Sequence, residues 1–227
     1  MKIILHTALL LGLSLLFFTP EPGVSQTSPH LTFGGQVRPR LEARTPVDGS
    51  WDTFTSMRTR GWIRAHYQDR LTVFIQLQDV RLFGEEGSTL GDFRADNFDL
   101  HQGYLELASV PLLGGSLRTG RQEMALGEQR LVGAVNWTQQ GRSFDGARYL
   151  RTFESFQLQL FGMKLTEATS PARDYDSEFL GAWGTLGLEK AGTLELFGLF
   201  TRDERDAGVE EETFGALWRG GLGPVGL

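Results

Sequence analysis

Cysteine is absent from the 227-residue chain. That excludes a disulfide frame, a thiolate metal site and a lipoprotein-type acylated cysteine. Lysine is nearly absent too, occurring only at Lys2, Lys164 and Lys190. Cationic charge is therefore carried almost wholly by arginine, whose flat, always-charged fork suits carboxylates and phosphates. There is no basic surplus. Net charge is −6 and pI about 5.3, which argues against nucleic acid as a partner. After residue 26 no apolar run is long enough for a transmembrane helix. GxSxG, HExxH and paired-carboxylate motifs are missing as well, so the sequence offers an enzyme little footing and the expectation is a non-enzyme. His66 and His101 read as isolated. Gly221–Gly226 matches a dinucleotide glycine pattern in letters only, because Pro224 interrupts it and no helix follows. Asn136-Trp137-Thr138 fits a glycosylation triplet in letters, a weak signal by itself.

What is present begins with a leader. Lys2, the apolar run Ile3–Phe18 and the polar exit Pro20–Gln26 read as a secretory signal peptide over residues 1–26, leaving 27–227 as the mature domain. An uncleaved anchor is the alternative, disfavoured by a run slightly short for spanning. The length leaves room for one large domain or two small ones.

From Leu31 onward the sequence alternates. Leu31, Phe33, Val37 and Leu41 take one face, and Gln36, Arg38, Arg40 and Glu42 the other. Side chains of a strand point alternately to opposite faces, so this is a strand with one apolar and one strongly polar side. The same alternation places Arg58, Arg60 and Arg64 with Trp62 and His66 on one face of the next strand, about 57–67. Further strands are expected near 71–81, 98–108, 116–124, 144–151, 155–164, 178–188, 193–201 and 213–219. That makes about ten. Faces after residue 116 are less sharply written, because glycines blur the register.

The connections alternate long and short. Outer-membrane barrels show that asymmetry, with apolar-out, polar-in strands. A soluble sandwich would show the alternation of side chains alone. Together with the leader and the aromatic residues near expected strand ends (Tyr67, Tyr104, Tyr149, Trp183, Trp218), this points to an antiparallel transmembrane β-barrel. The chain stops in a glycine-rich turn without a terminal aromatic residue. A sheet open in lipid leaves backbone groups unsatisfied, so the expectation is the N-terminal part of a larger barrel.

The central stretch, 120–146, carries Arg121, Arg130 and Arg142 among glycines and acidic residues, and no apolar run marks it as core. Its segments Gly120-Arg121-Gln122-Glu123, Gly127-Glu128-Gln129-Arg130-Leu131-Val132-Gly133, Asn136-Trp137-Thr138 and Gly141-Arg142-Ser143-Phe144-Asp145-Gly146 resemble the signature of the alginate-export family of outer-membrane proteins. The upstream His101-Gln102-Gly103-Tyr104-Leu105-Glu106-Leu107 resembles the strand before it. The resemblance implies a full barrel of about 16–18 strands, of which this chain holds about ten, a bacterial outer-membrane location, a lipid-contacting wall, an arginine-lined pore passing an anionic polysaccharide such as alginate, and periplasmic export partners.

The residues agree with that implication. Arg38, Arg40, Arg58, Arg60 and Arg64 fall on polar strand faces, which in a barrel look into a water-filled lumen. Rings of arginine there favour anions, because low-dielectric walls focus the field. Arg121, Arg130 and Arg142 join them as candidates. Glu42, Glu106, Gln122, Glu123, Glu128 and Asp145 are candidate supports that hold arginines in place or thin the field. Each arginine is open to two readings, contact with a solute or bracing of the wall. Those in the central stretch have a third: anchoring an infolded loop through Glu123, Glu128 or Asp145. No cofactor is expected, except that calcium could sit at the acidic stretches Glu85-Glu86 and Glu210-Glu211-Glu212. A general porin for small anions or nutrients, and a non-conducting adhesin or enzyme, are the competing functions.

Overall fold

The computed structural model describes residues 28–44, 51–83, 98–166, 176–203 and 209–220. The expected leader, the glycine-rich end and Glu85-Glu86 lie outside them. The described residues form ten strands in one antiparallel sheet, ordered as in the sequence. They are β1 (His30–Arg44), β2 (Asp52–Tyr67), β3 (Leu71–Leu82), β4 (Phe98–Leu107), β5 (Ser116–Gln122), β6 (Phe144–Thr152), β7 (Phe156–Thr166), β8 (Ser177–Gly187), β9 (Thr193–Asp203) and β10 (Val209–Arg219). β1 and β10 are its two edges, so the sheet is open.

An up-and-down meander puts alternate connections at opposite ends. At one end they are tight. Gln68 and Asp69 both take left-handed backbone angles, and the Arg70 amide donates to the Tyr67 carbonyl at 3.0 Å. A two-residue hairpin needs this twist to match its strands. The other end carries the longest connection, 123–143, which folds back over one face of the sheet. We call that face inner.

Register makes the faces explicit. Arg38 stands opposite Arg58, Gln36 opposite Arg60, and Arg60 opposite Gln78. These share the inner face with Trp62, Arg64 and Phe74. Away from the loop-bearing end, where Asp145, Lys164 and Glu178 stand in register, the outer face is apolar and bare: Phe33 is 82% exposed and Phe214 77%, with Ile63, Ile75, Leu160, Leu180 and Leu196 also exposed. A monomer in water rarely leaves so continuous an apolar surface uncovered.

The core lies on the inner face, beneath the long connection. Met124, Leu126 and Val132 from that connection are at most 2% exposed and pack with Phe144, Phe161, Met163, Trp183 and Leu199. The stretch 120–146, which no apolar run marked as core in the sequence, therefore contributes to the core. Three isolated apolar residues plug an aromatic wall without ever forming a run. Cross-strand glycines make room for that wall. The Phe161 ring covers Gly181 and the Phe197 ring covers Gly215, leaving no space for a Cβ at either.

Other boundaries move as well. β2 begins at Asp52, where a loop to residue 56 was expected. Glu210, Glu211 and Glu212 are strand residues of β10, not loop. Successive strand side chains point to opposite faces, so the three carboxylates do not converge. Tyr104 and Trp183 are buried on the inner face rather than sitting at a rim. Tyr67 and Trp218 are exposed at strand ends.

Candidate functional site

The inner face of β1–β4 is built from arginine and glutamine. Arg38 and Arg58 are directly opposed like charges, a destabilising arrangement unless acceptors lie between them. The acceptors come from the long connection. Arg38 donates to the Asn136 carbonyl at 2.8 Å, to the Thr138 carbonyl, and to Gln139 Oε1 at 2.9 and 2.8 Å. Arg40 donates to the Trp137 carbonyl at 2.5 Å and pairs with Glu42 at 3.0 Å. Arg58 reaches the Thr138 and Gln139 carbonyls at 3.4 Å and Gln36 Oε1 at 2.7 Å. Arg60 reaches the Gln140 carbonyl at 3.3 Å and Gln78 Oε1 at 2.6 Å, and Gln78 donates to the same Gln140 carbonyl at 2.9 Å. Five consecutive carbonyls, 136–140, are thus held by four guanidinium groups.

A second knot joins this wall to the start of the connection. Arg60 Nη1 lies 3.1 Å from Glu123 Oε1, His101 Nε2 lies 2.6 Å from the same oxygen, and Asn136 Nδ2 donates to Glu123 Oε2 at 2.9 Å. The pairing of β3 with β4 slips at His101, which opposes no residue of β3. Such a bulge turns two successive side chains to one face. Here it brings His101 and Gln102 together, and Gln102 accepts from the Glu123 amide at 3.1 Å. Burial acts to raise the Glu123 carboxyl, but the hydrogen bonds from His101 and Asn136 and the Arg60 charge outweigh it, so its pKa is lowered.

His101 is thus not isolated, contrary to the sequence expectation. Ser143 lies 3.4 Å from His101 Nδ1, which completes a serine–histidine–glutamate row. The Ser143 hydroxyl nevertheless donates to the His101 backbone carbonyl at 2.5 Å. The imidazole is not positioned to take its proton, and a nucleophile needs that base. The row braces the fold.

Toward the tight-turn end, arginines lie on aromatic rings. Arg64 sits over Phe74 at 4.9 Å and over Trp62 at 5.5 Å, and Arg118 sits over Tyr104 at 4.1 Å while pairing with Glu106. Phe74 and Tyr104 stack at 5.0 Å. Arg118 opposes Arg148 across β5–β6, a second like-charge pair.

The family assignment now has its geometry. The sequence profile described as Alginate export matches residues 30–210, from the first residue of β1 to the second of β10. The chain belongs to the alginate-export family. Its members are transport proteins of the outer membrane, and the ten-stranded all-β sheet fits that family. No curated protein matches the chain significantly.

In this alginate-export chain the candidate arginines divide into groups. Arg38, Arg40, Arg58, Arg60 and Arg64 come together on the inner face. Arg121 does not join them. Its register partners, Gly103 and Asp145, stand on the outer face, and it pairs with Asp145 at 2.8 Å and lies 3.7 Å from Asp99. Arg130 is exposed and pairs with Glu128 at 3.0 Å. The Arg142 amide donates to the Ala134 carbonyl at 2.7 Å and closes the neck of segment 134–142. Gln122 is fully buried and donates to the Gly120 and Gly146 carbonyls. A polar cleft of about 950 Å³ opens between Arg40, Glu42, His101 and the Trp137–Gly141 segment.

Sequence reasoning missed Gln36, Gln78, Gln139, Arg118 and Arg148. The signal for the first two was present, since both alternate in phase with Arg38 and Arg60. Gln139 sits in a loop, where no period could mark it.

Proposed function

We propose that this chain forms the wall of a passive outer-membrane channel for anionic oligo- or polysaccharide, of which alginate is the type the family suggests. The bare apolar face meets lipid, and the loop-bearing face lines the water-filled path. One observation carries this. Arg38, Arg40, Arg58 and Arg60 occupy one patch of the inner face, and among the described residues only Glu42 and Glu123 are carboxylates paired to them. Four positive groups against two negative ones leave the patch cationic, and a narrow low-dielectric passage focuses that field. Guanidinium recognises carboxylates in two-point geometry, and several weak sites in series allow entry and release. Periplasmic proteins that deliver the polymer fit this arrangement as partners.

The experiment is conductance of the full-length protein in planar bilayers. Anion-selective current that falls on adding an oligouronate is the expected result. The double substitution Arg38→Gln and Arg58→Gln lowers the anion-to-cation permeability ratio severalfold. Anion-selective current indifferent to the oligouronate would instead mark a general small-anion porin, and cation selectivity would overturn the proposal.

A further inference from the structure

We infer that segment 136–140 is a captive stand-in for the polyanion: the arginine patch binds the protein's own carbonyls until a carboxylate-bearing polymer displaces them. The inference rests on the channel proposed above and adds how its anion site is kept closed.

Three observations carry it. First, most of the contacts that hold the segment to β1–β3 are hydrogen bonds from arginine and glutamine to its carbonyls; the rest are Arg38 on Gln139 Oε1, Arg60 on Asn136 Oδ1, Arg40 over the Trp137 ring, and Gln139 Nε2 donating to Ser56 Oγ at 2.9 Å and to the Arg38 carbonyl. A neutral carbonyl is the weaker partner for a guanidinium. A carboxylate makes a charge-assisted bond roughly twice as strong, so a polymer carrying one carboxylate per sugar competes for these donors on favourable terms. The surplus of positive charge remains unneutralised while carbonyls occupy the site.

Second, the connection is divided into a fixed root and a separable lobe. Met124, Leu126 and Val132 anchor the root in the aromatic core. The lobe, 134–142, is closed on itself. Its neck is the Arg142 amide on the Ala134 carbonyl, and within it Thr138 Oγ1 donates to the Val135 carbonyl and accepts from the Gly141 amide, both at 3.0 Å. Trp137, at its tip, is 70% exposed. Once the Asn136 bond to Glu123 is given up, the lobe can lift as a unit without unpacking the core.

Third, the lobe begins at a strained residue. Val135 has φ +49°, a left-handed conformation that a β-branched side chain disfavours. Such strain persists only where surrounding contacts over-determine it, and it gathers at switch segments. The arginine bonds just beyond Val135 supply those contacts. Losing them to a polymer frees the backbone to relax, so release of strain accompanies displacement.

Two measurements test this on the full-length protein. Hydrogen exchange of the unmodified protein should quicken in residues 134–142 on adding an oligouronate, by at least tenfold and saturably. A neutral dextran of equal length should leave it unchanged, and residues 124–132 should stay protected with either sugar. Next, Ser56→Cys with Gln139→Cys, in a background where any cysteine beyond the 227 cysteine-free residues is replaced by serine, is bridged by a reductant-cleavable dithiol-reactive linker in proteoliposomes. Bridging should cut oligouronate passage at least tenfold, and cleavage of the linker in the same sample should restore it. Unchanged exchange in 134–142 while the wild-type protein passes oligouronate overturns the stand-in, and so does equal passage with the bridge intact. If the wild-type protein passes no oligouronate at all, the channel proposal falls and takes this one with it.

Discussion

The inner face has two halves that hold the same loop by different physics. On β1–β4 the wall is arginine and glutamine, and it grips backbone carbonyls. On β6–β9 it is phenylalanine, methionine and tryptophan, and it buries Met124, Leu126 and Val132. Apolar burial is non-directional and scales with area. The polar grip depends on geometry and charge, and each of its bonds has a competitor in any anionic solute. The difference separates what must stay from what can move. The apolar half fixes the connection to the wall, and in the channel proposed above the polar half sets what the passage recognises.

Substitutions should separate the halves, and the largest effect belongs to the apolar one. Phe161 is 6% exposed, packs against Phe179 at 5.1 Å and covers Gly181. Phe161→Ala opens a cavity in the aromatic wall the root rests on, at a cost of about 3–5 kcal/mol. Urea unfolding from lipid vesicles measures it. Anion selectivity should keep its sign, because no arginine contact is touched. A loss of selectivity as large as that of the double arginine variant would break the division.

Next is the knot around Glu123. Arg60 is 7% exposed and its partner Glu123 23%. Arg60→Met leaves a carboxylate partly buried with its cation gone. Breaking a fully buried pair costs about 3–5 kcal/mol, and the water that Glu123 retains reduces this to about 2 kcal/mol. Adding Glu123→Gln should recover about 1 kcal/mol, read as the coupling in a double-mutant cycle. Additive losses would mean that the two residues act separately.

The same carboxyl gives the polar half a pH dependence that the apolar half lacks. The Glu123 pKa lies below its ordinary value of 4.5 in the folded protein. The folded state therefore binds this proton less readily than the unfolded one, and stability from the ionised group is present in full above 4.5. It is lost as pH falls from there through the lowered folded value. Exchange protection of residues 134–142 should persist down to about pH 4.5 and fall below it. Glu123→Gln should flatten that step, while protection of 124–132 should show none in either protein.

The two halves were also unequally legible. Strict alternation wrote the faces of β1–β3 into the sequence, because an apolar outer face and a charged inner face contrast at every step. β7–β9 lack that contrast. Phe161 and Met163 point inward while Leu158 and Leu160 point outward, so both faces are apolar and a period of two carries no sign. The clue lay elsewhere, in Met124, Leu126 and Val132, which had no reason to sit in a polar loop unless a wall received them. The bulge at His101 could not be read either. An extra residue in one strand becomes visible only against its partner, and Glu123, which it meets, is 22 residues away. The arginines of β1 and β2 were found because they alternate. Arg121 was grouped with them on charge alone, whereas register sets it opposite Gly103 and Asp145 and it meets the others only as part of the lining of the polar cleft.

The smallest effect should come from Arg130, which belongs to neither half. It lies on the root of the loop, 78% exposed, with Glu128 at 3.0 Å as its partner. Water screens such a pair, and ordering two long side chains offsets most of its Coulomb gain. Arg130→Ala should shift unfolding by no more than about 0.5 kcal/mol and leave anion selectivity within error of the parent. The comparison with Arg38→Gln matters more than the size. Both remove one guanidinium from the same protein and change net charge equally. If charge alone governed permeation, the two would lower anion selectivity alike. If the inner patch governs it, only Arg38→Gln acts, because its guanidinium stands on the wall beside Arg58 while that of Arg130 pairs only with its neighbour in the loop.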